Sequence, residues 1–456
     1  MRGISCDAIR NAVKARADEI IAWTKVLISF PSENRPPDGN EEAAQRFIAA
    51  ECRKLGLELD VFSPEEIPDI QKHPGWLAGR KYDNSRKNVV ARWKGGRGEQ
   101  ARAALRARSA RKVQVARRED YAGGGRSVLF SGHVDVAPFE PSNWKECEPY
   151  EPVVKNDRLY GRGAADMKGG QAAAFWALQI LQDLGFKPAG DILFESLVDE
   201  EFAGGNGTLA ARLRGHNADL AVIGEPTRME VCPACFGAFL GNYTLSGKAG
   251  MPFMGTAIAN PIVGAARAIR FFEEWQERWR AQNHHPMFTD PGKELNCLLW
   301  KIDSTTPGEF TQMGTPLLAK ISWIVWCHPG MTEDEFYRRF RAFWKERAAA
   351  EPALAPFEMK IEPDFHFVKP WETPATDPAV QAVVKAFGEY QGGAPKVGGA
   401  PFSCDLAHYG ETGRMPAVLL GPRGDNLHAP DEWVPIADIL ALIGIYATLA
   451  ARWCGG

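Results

Sequence analysis

Ser131-Gly-His133-Val-Asp135 sets an imidazole two residues from a carboxylate. In an extended chain, positions i and i+2 point the same way. Asp135 can therefore hold the His133 ring from behind, as carboxylates do for metal-bound histidines. Alone, a His-x-Asp pair is usually structural. Tyr160-Gly-Arg-Gly-Ala-Ala-Asp166-Met-Lys-Gly-Gly170 puts Asp166 in a glycine-rich turn before a helix. Its spacing lacks the third glycine of a dinucleotide fingerprint. Val198-Asp199-Glu200-Glu201-Phe-Ala-Gly-Gly205 places three consecutive carboxylates after an apolar run. They repel one another unless a cation lies beside them; otherwise the stretch is an exposed acidic turn. Ile223-Gly-Glu225-Pro-Thr227 and Asn426-Leu-His428-Ala-Pro-Asp431-Glu432 complete the set.

These segments offer two histidines and several carboxylates but no thiolate. That donor set suits zinc, manganese or cobalt in an open catalytic site rather than a closed structural one. A carboxylate shared by two divalent metals, beside a free glutamate, is equipment for metal-assisted hydrolysis: the metals acidify a water and the glutamate takes its proton. Ser131 lacks a Gly-x-Ser-x-Gly elbow, which speaks against a serine hydrolase. Cys232-Pro-Ala-Cys235 has redox or zinc spacing, but no second pair follows it, so two half-buried thiols at a strand end are the plainer reading.

Elements that could position these groups follow from periodicity. Ile9–Ile28 and Glu41–Leu55 read as helices, the second with Asn40 as N-cap and Gly56 as C-cap. A proline-rich loop covers 63–75. Asn88–Trp93 and Ser127–Phe130 read as strands. Helix Lys168–Leu184, strand Ile192–Val198, helix Asn206–Leu213 and strand Leu220–Ile223 follow. Pro416–Leu420 and Ile436–Trp453 close the chain as strand and helix. This alternation predicts an α/β fold: a mainly parallel sheet with helices on both faces. In such sheets ligands bind at the carboxyl ends of the strands, where the acidic segments fall. Between them, strand Tyr243–Ser246, helix Ile262–Trp279, strand Lys320–Trp326 and helix Thr332–Arg347 suit an inserted, smaller α+β domain. The expected boundaries are a catalytic domain over 1–239, the insertion over 240–362, and the catalytic domain resumed over 363–456.

The composition excludes other classes. The chain has 456 residues, 45% apolar and 24% charged, with net charge −3, so a large core is available and no basic field favours nucleic acid. Residues 101–118, within an insertion at about 97–124, hold seven basic residues and no acid. Without interleaved aromatics they read as a solvated hairpin tip rather than a nucleic-acid patch. No unbroken apolar run reaches the roughly 18 residues of a membrane span, and the first 20 residues lack a signal peptide's apolar core. Nine scattered cysteines fit a reduced, cytoplasmic protein.

In order and spacing the five acidic and histidine segments resemble the metal-dependent peptidase and deacylase family of acetylornithine deacetylase, succinyl-diaminopimelate desuccinylase, aminoacylase and glutamate carboxypeptidase. The resemblance spans nearly the whole chain apart from the basic insertion. It implies two divalent metals, zinc first. It implies that His133 and Glu225 bind one metal, Glu201 and His428 the other, and that Asp166 bridges them beside a cis peptide to Met167. Asp135 orients His133 and Glu200 is the general base. The inserted domain is expected to act as a lid and to form a homodimer. The substrate is expected to be a small molecule carrying an N-acyl amide.

Two positions depart from the family. Met251, in Gly247-Lys-Ala-Gly-Met251-Pro, stands where members carry a histidine that steadies the oxyanion from a neighbouring subunit. Trp326 stands where members acting on amino-acid derivatives carry an arginine. Asn296 is a further candidate substrate contact. Three explanations stay open: His284, His285 or His328 supplies the missing donor; the substrate lacks an α-carboxylate and is aromatic or apolar, which Met251, Phe253, Trp323 and Trp326 suit; or catalysis is weakened. Hydrolytic deamination of an aromatic ring and a non-catalytic binding role on the same fold are the alternatives to amide cleavage.

Overall fold

The structure is a computed structural model, described over residues 4–83, 85–96, 125–138, 143–201, 205–248, 258–304, 315–364 and 367–455. The basic stretch 101–118, Met251 and Phe253 lie outside the described residues. The chain divides into two compact units, 1–234 with 372–398 and 405–456, and 235–371 with 399–404.

The first unit is a mixed α/β fold on a central sheet. Its strands run in the order Ala417–Leu419, Ala221–Ile223, Val128–His133, Ile192–Leu197, Asn88–Trp93 and Glu58–Phe62. The first four are mutually parallel and the last two antiparallel. The four parallel strands share one carboxyl edge. His133 ends its own strand there, while Glu200 and Glu225 follow theirs within three residues. Every residue of Val128–His133 and Ile192–Leu197 is buried, as expected of parallel strands covered on both sides. The strand expected over Ser127–Phe130 therefore reaches His133 itself.

Helix Gly169–Asp183 packs on these strands, and helix Ile436–Trp453 packs on it. Ile439, Leu442, Ile443, Ile445 and Leu449 are almost wholly buried, each worth roughly 1.5–3 kcal/mol. Ile436–Trp453 has 18 residues and a mean hydropathy of 1.5, long and apolar enough to cross a membrane by those measures, yet 67% of it is buried inside the protein. Asp438, Thr448 and Arg452 interrupt its apolar run.

The helix expected over Ile9–Ile28 is two, Cys6–Ala15 and Ala17–Ile28, broken at Arg16 with φ −112°. Arg16 instead pairs with Glu19 and Asp183. The next helix runs Glu42–Lys54 and is preceded by Glu41 rather than capped by Asn40, whose side chain donates to the Pro31 carbonyl at 3.0 Å.

The second unit carries an antiparallel sheet in the order Cys297–Asp303, Leu318–Cys327, then residues 237–246 of the long strand Val231–Ser246, then Glu358–Pro363. Helices Pro261–Gln282 and Glu333–Ala350 bury Trp275, Trp279, Phe336, Phe340 and Trp344 beside Trp323. Aromatic contacts at 4.9–5.9 Å, such as Trp323–Phe340 and Trp323–Phe336, make this core. Trp323 is thus core rather than pocket. Cys232 and Cys235 are buried in the long strand and form no disulfide.

Candidate metal centre

His133 stands at the centre of the acidic edge. Its Nε2 lies 3.3 Å from Asp166 Oδ1, 3.5 Å from Glu225 Oε1 and 3.8 Å from Glu200 Oε2. Asp166 reaches the other histidine with its second oxygen: His428 Nε2 is 3.4 Å from Asp166 Oδ2 and 2.9 Å from Glu201 Oε2. So six of the candidate residues, His133, Asp166, Glu200, Glu201, Glu225 and His428, converge on the carboxyl ends of the parallel strands.

The tautomer of His133 is set from behind, though not as expected. Nδ1 lies 2.9 Å from the main-chain oxygen of Asp135, while the Asp135 carboxylate is 3.7 Å away. That carboxylate is engaged elsewhere. Its Oδ2 accepts from the amides of Glu200 and Glu201 at 2.9 and 3.0 Å, and from Asn34 Nδ2 at 2.8 Å. The i, i+2 rule fails because residue 135 lies beyond the strand end at His133.

The turn holding Asp166 is fixed by a buried carboxylate. Glu432 accepts from the amides of Gly163, Ala165 and Asp166 at 2.9–3.0 Å and pairs with Arg162 at 2.8 Å. The Asp166–Met167 peptide is cis. Gly170 lets the following helix approach the Glu225 strand: a Cβ there would stand 2.0 Å from the Gly224 carbonyl oxygen.

Burial sets the protonation of these groups. Burial alone disfavours a charged imidazole, yet Glu225, Asp166 and Glu200 outweigh it and hold His133 well above its ordinary pKa. Burial works against ionised Asp166, but the closeness of the His133 and His428 imidazoles holds its carboxyl well below the usual range. Glu200 and Glu225 are pushed well above theirs, by burial first, despite the attraction of His133. Such crowding of carboxylates around a partly buried cavity is what a bound cation relieves.

The donor set fits divalent metal. His133 Nε2 is buried, makes no hydrogen bond, and faces three carboxylates. Two trios, His133–Asp166–Glu201 and His133–Glu200–Glu225, each bring three ligand atoms within 4.8 Å of one another. Those trios also draw Glu200 into ligand range, the residue expected to stay free as base.

Asn296 and Trp326 belong to the second unit, where the Trp326 amide donates to the Asn296 carbonyl at 3.2 Å. Trp326 is half-buried and Asn296 exposed, with Arg280 on its side-chain oxygen. His328 lies against Phe288 and Phe236, and burial lowers its pKa to about 4. Sequence reasoning missed Asn34, Tyr82, Arg80 and Arg86, which surround Asp199, and gave Glu432 no role. It also missed Asp405, pushed by burial to about 6 and bonded to Thr208. Apart from Glu432, which ends the His428 segment, none of these carries a motif; only the fold brings them to the site.

Over residues 129–452 the sequence matches Peptidase family M20/M25/M40, and the protein belongs to that family. This makes it a metal-dependent hydrolase acting on amide bonds. It is 24% identical to N-formyl-4-amino-5-aminomethyl-2-methylpyrimidine deformylase of Halalkalibacterium halodurans, over 97% of this chain and 96% of that one. It is 26% identical to succinyl-diaminopimelate desuccinylase of Methylocella silvestris, over 90% of this chain and 92% of the other. In fold it resembles the di-peptidase Dug1p of Saccharomyces cerevisiae, with a TM-score of 0.72 at 12% identity across 99% of both chains.

Proposed function

We propose that this protein removes a short acyl group, formyl or a close homologue, from a small aromatic amine without an α-carboxylate. The observation that carries the hydrolytic part is the convergence of two histidines and three further carboxylates around Asp166. His133 and Glu225 would hold one divalent cation, Glu201 and His428 a second, and Asp166 both. Zinc is the first choice for this nitrogen and oxygen set, manganese or cobalt the next. When bound, such cations acidify a water and polarise the amide carbonyl.

The protein's own groups do the rest. Glu200 takes the proton of the attacking water as oxygen bonds to the carbonyl carbon. It then returns that proton to the amine nitrogen as the C–N bond breaks, leaving an acid and a free amine. Asp135 orients His133 through its main-chain oxygen and holds the Glu200–Glu201 turn through its carboxylate.

The substrate class rests on two supports. The pyrimidine deformylase aligns with nearly the whole chain. Trp326 occupies a position where the resemblance leads one to expect an arginine for a substrate carboxylate. Both relatives' names describe acyl removal, which favours amide cleavage over ring deamination.

A homodimer through the second unit belongs to the same reading. Leu298, Trp300 and Ile302 are 46–52% exposed at alternate positions of a strand that ends its sheet, as dimer-forming edges often are. A reducing, cytoplasmic setting is supported by nine cysteines that form no disulfide.

The test is to load the purified protein with zinc, then manganese, and offer N-formyl and N-acetyl arylmethylamines beside N-acyl amino acids, with products read by mass spectrometry. The expected result is formyl release from the arylmethylamines, abolished in Glu200→Gln. Faster cleavage of acyl amino acids overturns the substrate class. No amide cleavage with both metals bound overturns the function.

A further inference from the structure

Asp199 is a non-glycine residue in the left-handed region, with φ +65°, immediately before Glu200. L-residues avoid that region unless the surroundings over-determine it. Here they do. Arg80 and Arg86 reach its Oδ1 at 3.1 and 3.2 Å, Tyr82 donates to its Oδ2, and Asn34 Nδ2 lies 3.2 Å from Oδ1. Arg86 is itself anchored to buried Glu41, at 2.7 and 2.9 Å. Asp199 is fully buried.

Asn34 links this cluster to the catalytic turn. It is fully buried, and its backbone is fixed by an amide bond to the Val136 carbonyl at 3.0 Å. Its side-chain amide has two N–H groups. One goes to Asp199 and the other to Asp135 Oδ2 at 2.8 Å. The same Asp135 oxygen receives the amides of Glu200 and Glu201. Two buried carboxylates that would repel each other are thereby joined through one neutral donor, and the Glu200–Glu201 main chain is held by Asp135 on one side and by the anchored Asp199 it follows on the other.

We infer that Asn34 is a positioning residue for Glu200 and Glu201: by bridging Asp135 and Asp199 it fixes the turn that sets both carboxylates in the metal centre. This rests on the functional reading above, and it predicts an unequal effect. Glu201 belongs with the His428 cation, whereas Glu225 and His133 stand on other elements. Loosening the turn should therefore weaken one cation site and the base together while sparing the other site.

The experiment compares Asn34→Ala and Asn34→Asp with the unaltered protein. Asn34→Asp keeps the shape, but when ionised it sets a third carboxylate between two. Cobalt is titrated into the metal-free protein and followed by visible absorption and calorimetry; kcat and KM are measured on the zinc-loaded protein. The expected result is one cobalt bound at unchanged affinity, the second roughly 10–100-fold weaker, and kcat reduced roughly 10–100-fold with KM moved less than about threefold. Asn34→Asp should show the larger effect. Should both variants fail to fold, Tyr82→Phe, which removes one donor to Asp199, should show the same pattern at smaller size. Folded variants with two cobalt ions at the original affinities overturn the inference, whether or not the melting temperature falls. The cobalt titration needs no substrate. An unaltered protein that binds two ions yet opens no amide defeats the functional reading while the Asn34 result still stands or falls by itself.

Discussion

His133 and His428 face opposite oxygens of one carboxylate, Asp166, yet they are built into the protein in different ways. The His133 side chain is 2% exposed and ends a fully buried strand. The His428 side chain is 53% exposed and sits on a loop where Asn426, His428 and Asp431 all have φ near +58°. That loop is tied by Asn426 Nδ2 to the Asp431 carbonyl at 3.1 Å, by the Ala429 amide to the Asn426 carbonyl at 3.0 Å, and by the Lys145 and Glu146 amides to Asp431 Oδ1 at 2.8 and 2.9 Å. One end of the centre is thus fixed by the sheet, and the other by strained loop residues near solvent. A rigid end and an open end suit a site that must keep its metals yet admit a substrate.

The largest effect should come from the general base beside the rigid end. Glu200→Gln should lower kcat by roughly 10²–10⁴-fold while both cations still bind, checked by metal content and single-turnover kinetics. A variant that loses metal as well would make Glu200 a ligand, as the second trio of donor atoms allows.

Next in size is the brace under Asp166. Glu432→Ala leaves Arg162 buried beside an empty place and strips three amides of their acceptor. Removing one partner of a buried pair costs about 3–5 kcal/mol. Denaturant unfolding should register that loss, and both cation affinities should fall because Asp166 serves both. A loss confined to the His428 side would mean the brace does not reach His133.

The contrast itself is tested by His133→Ala against His428→Ala. His133→Ala leaves the buried carboxylates uncompensated and should retain no cation at micromolar concentrations. His428→Ala should retain one and lose the second. Metal content after gel filtration decides, and equal losses in the two variants would erase the distinction.

How much of this was legible beforehand follows the same division. The parallel strands and their acidic ends could be read because apolar runs are followed at once by His, Asp or Glu among glycines. Glu200, Glu225 and His133 needed only that local pattern. The supports could not be read. Asn34 meets Asp135 and Asp199 across 101 and 165 residues, and Arg86 meets Asp199 across 113. Lone polar residues in a loop-rich segment carry no periodicity, so nothing marks them before the chain folds. The Arg16 break was hidden for another reason: a single arginine is a good helix former, and only its ion pairs with Glu19 and Asp183 accompany the interruption. Strand Cys297–Asp303 was missed because a register shift between Leu299 and Lys301 breaks its period of two.

The smallest difference sharpens the comparison without touching a ligand. Gly170→Ala adds one methyl where the Gly224 main chain already stands, next to Glu225 at the rigid end. Neither helix nor strand can yield cheaply, so the cost should be about 1–3 kcal/mol, with weaker binding of the cation on the His133 side. Asn426→Gly acts on the loop. Glycine takes φ +58° without strain, but the bond to Asp431 is lost. These terms oppose each other, so stability should move by less than about 1 kcal/mol. If thermal melts and cobalt titrations show the two substitutions alike, then the His428 loop is as rigid as the sheet, and its exposure has no mechanical meaning.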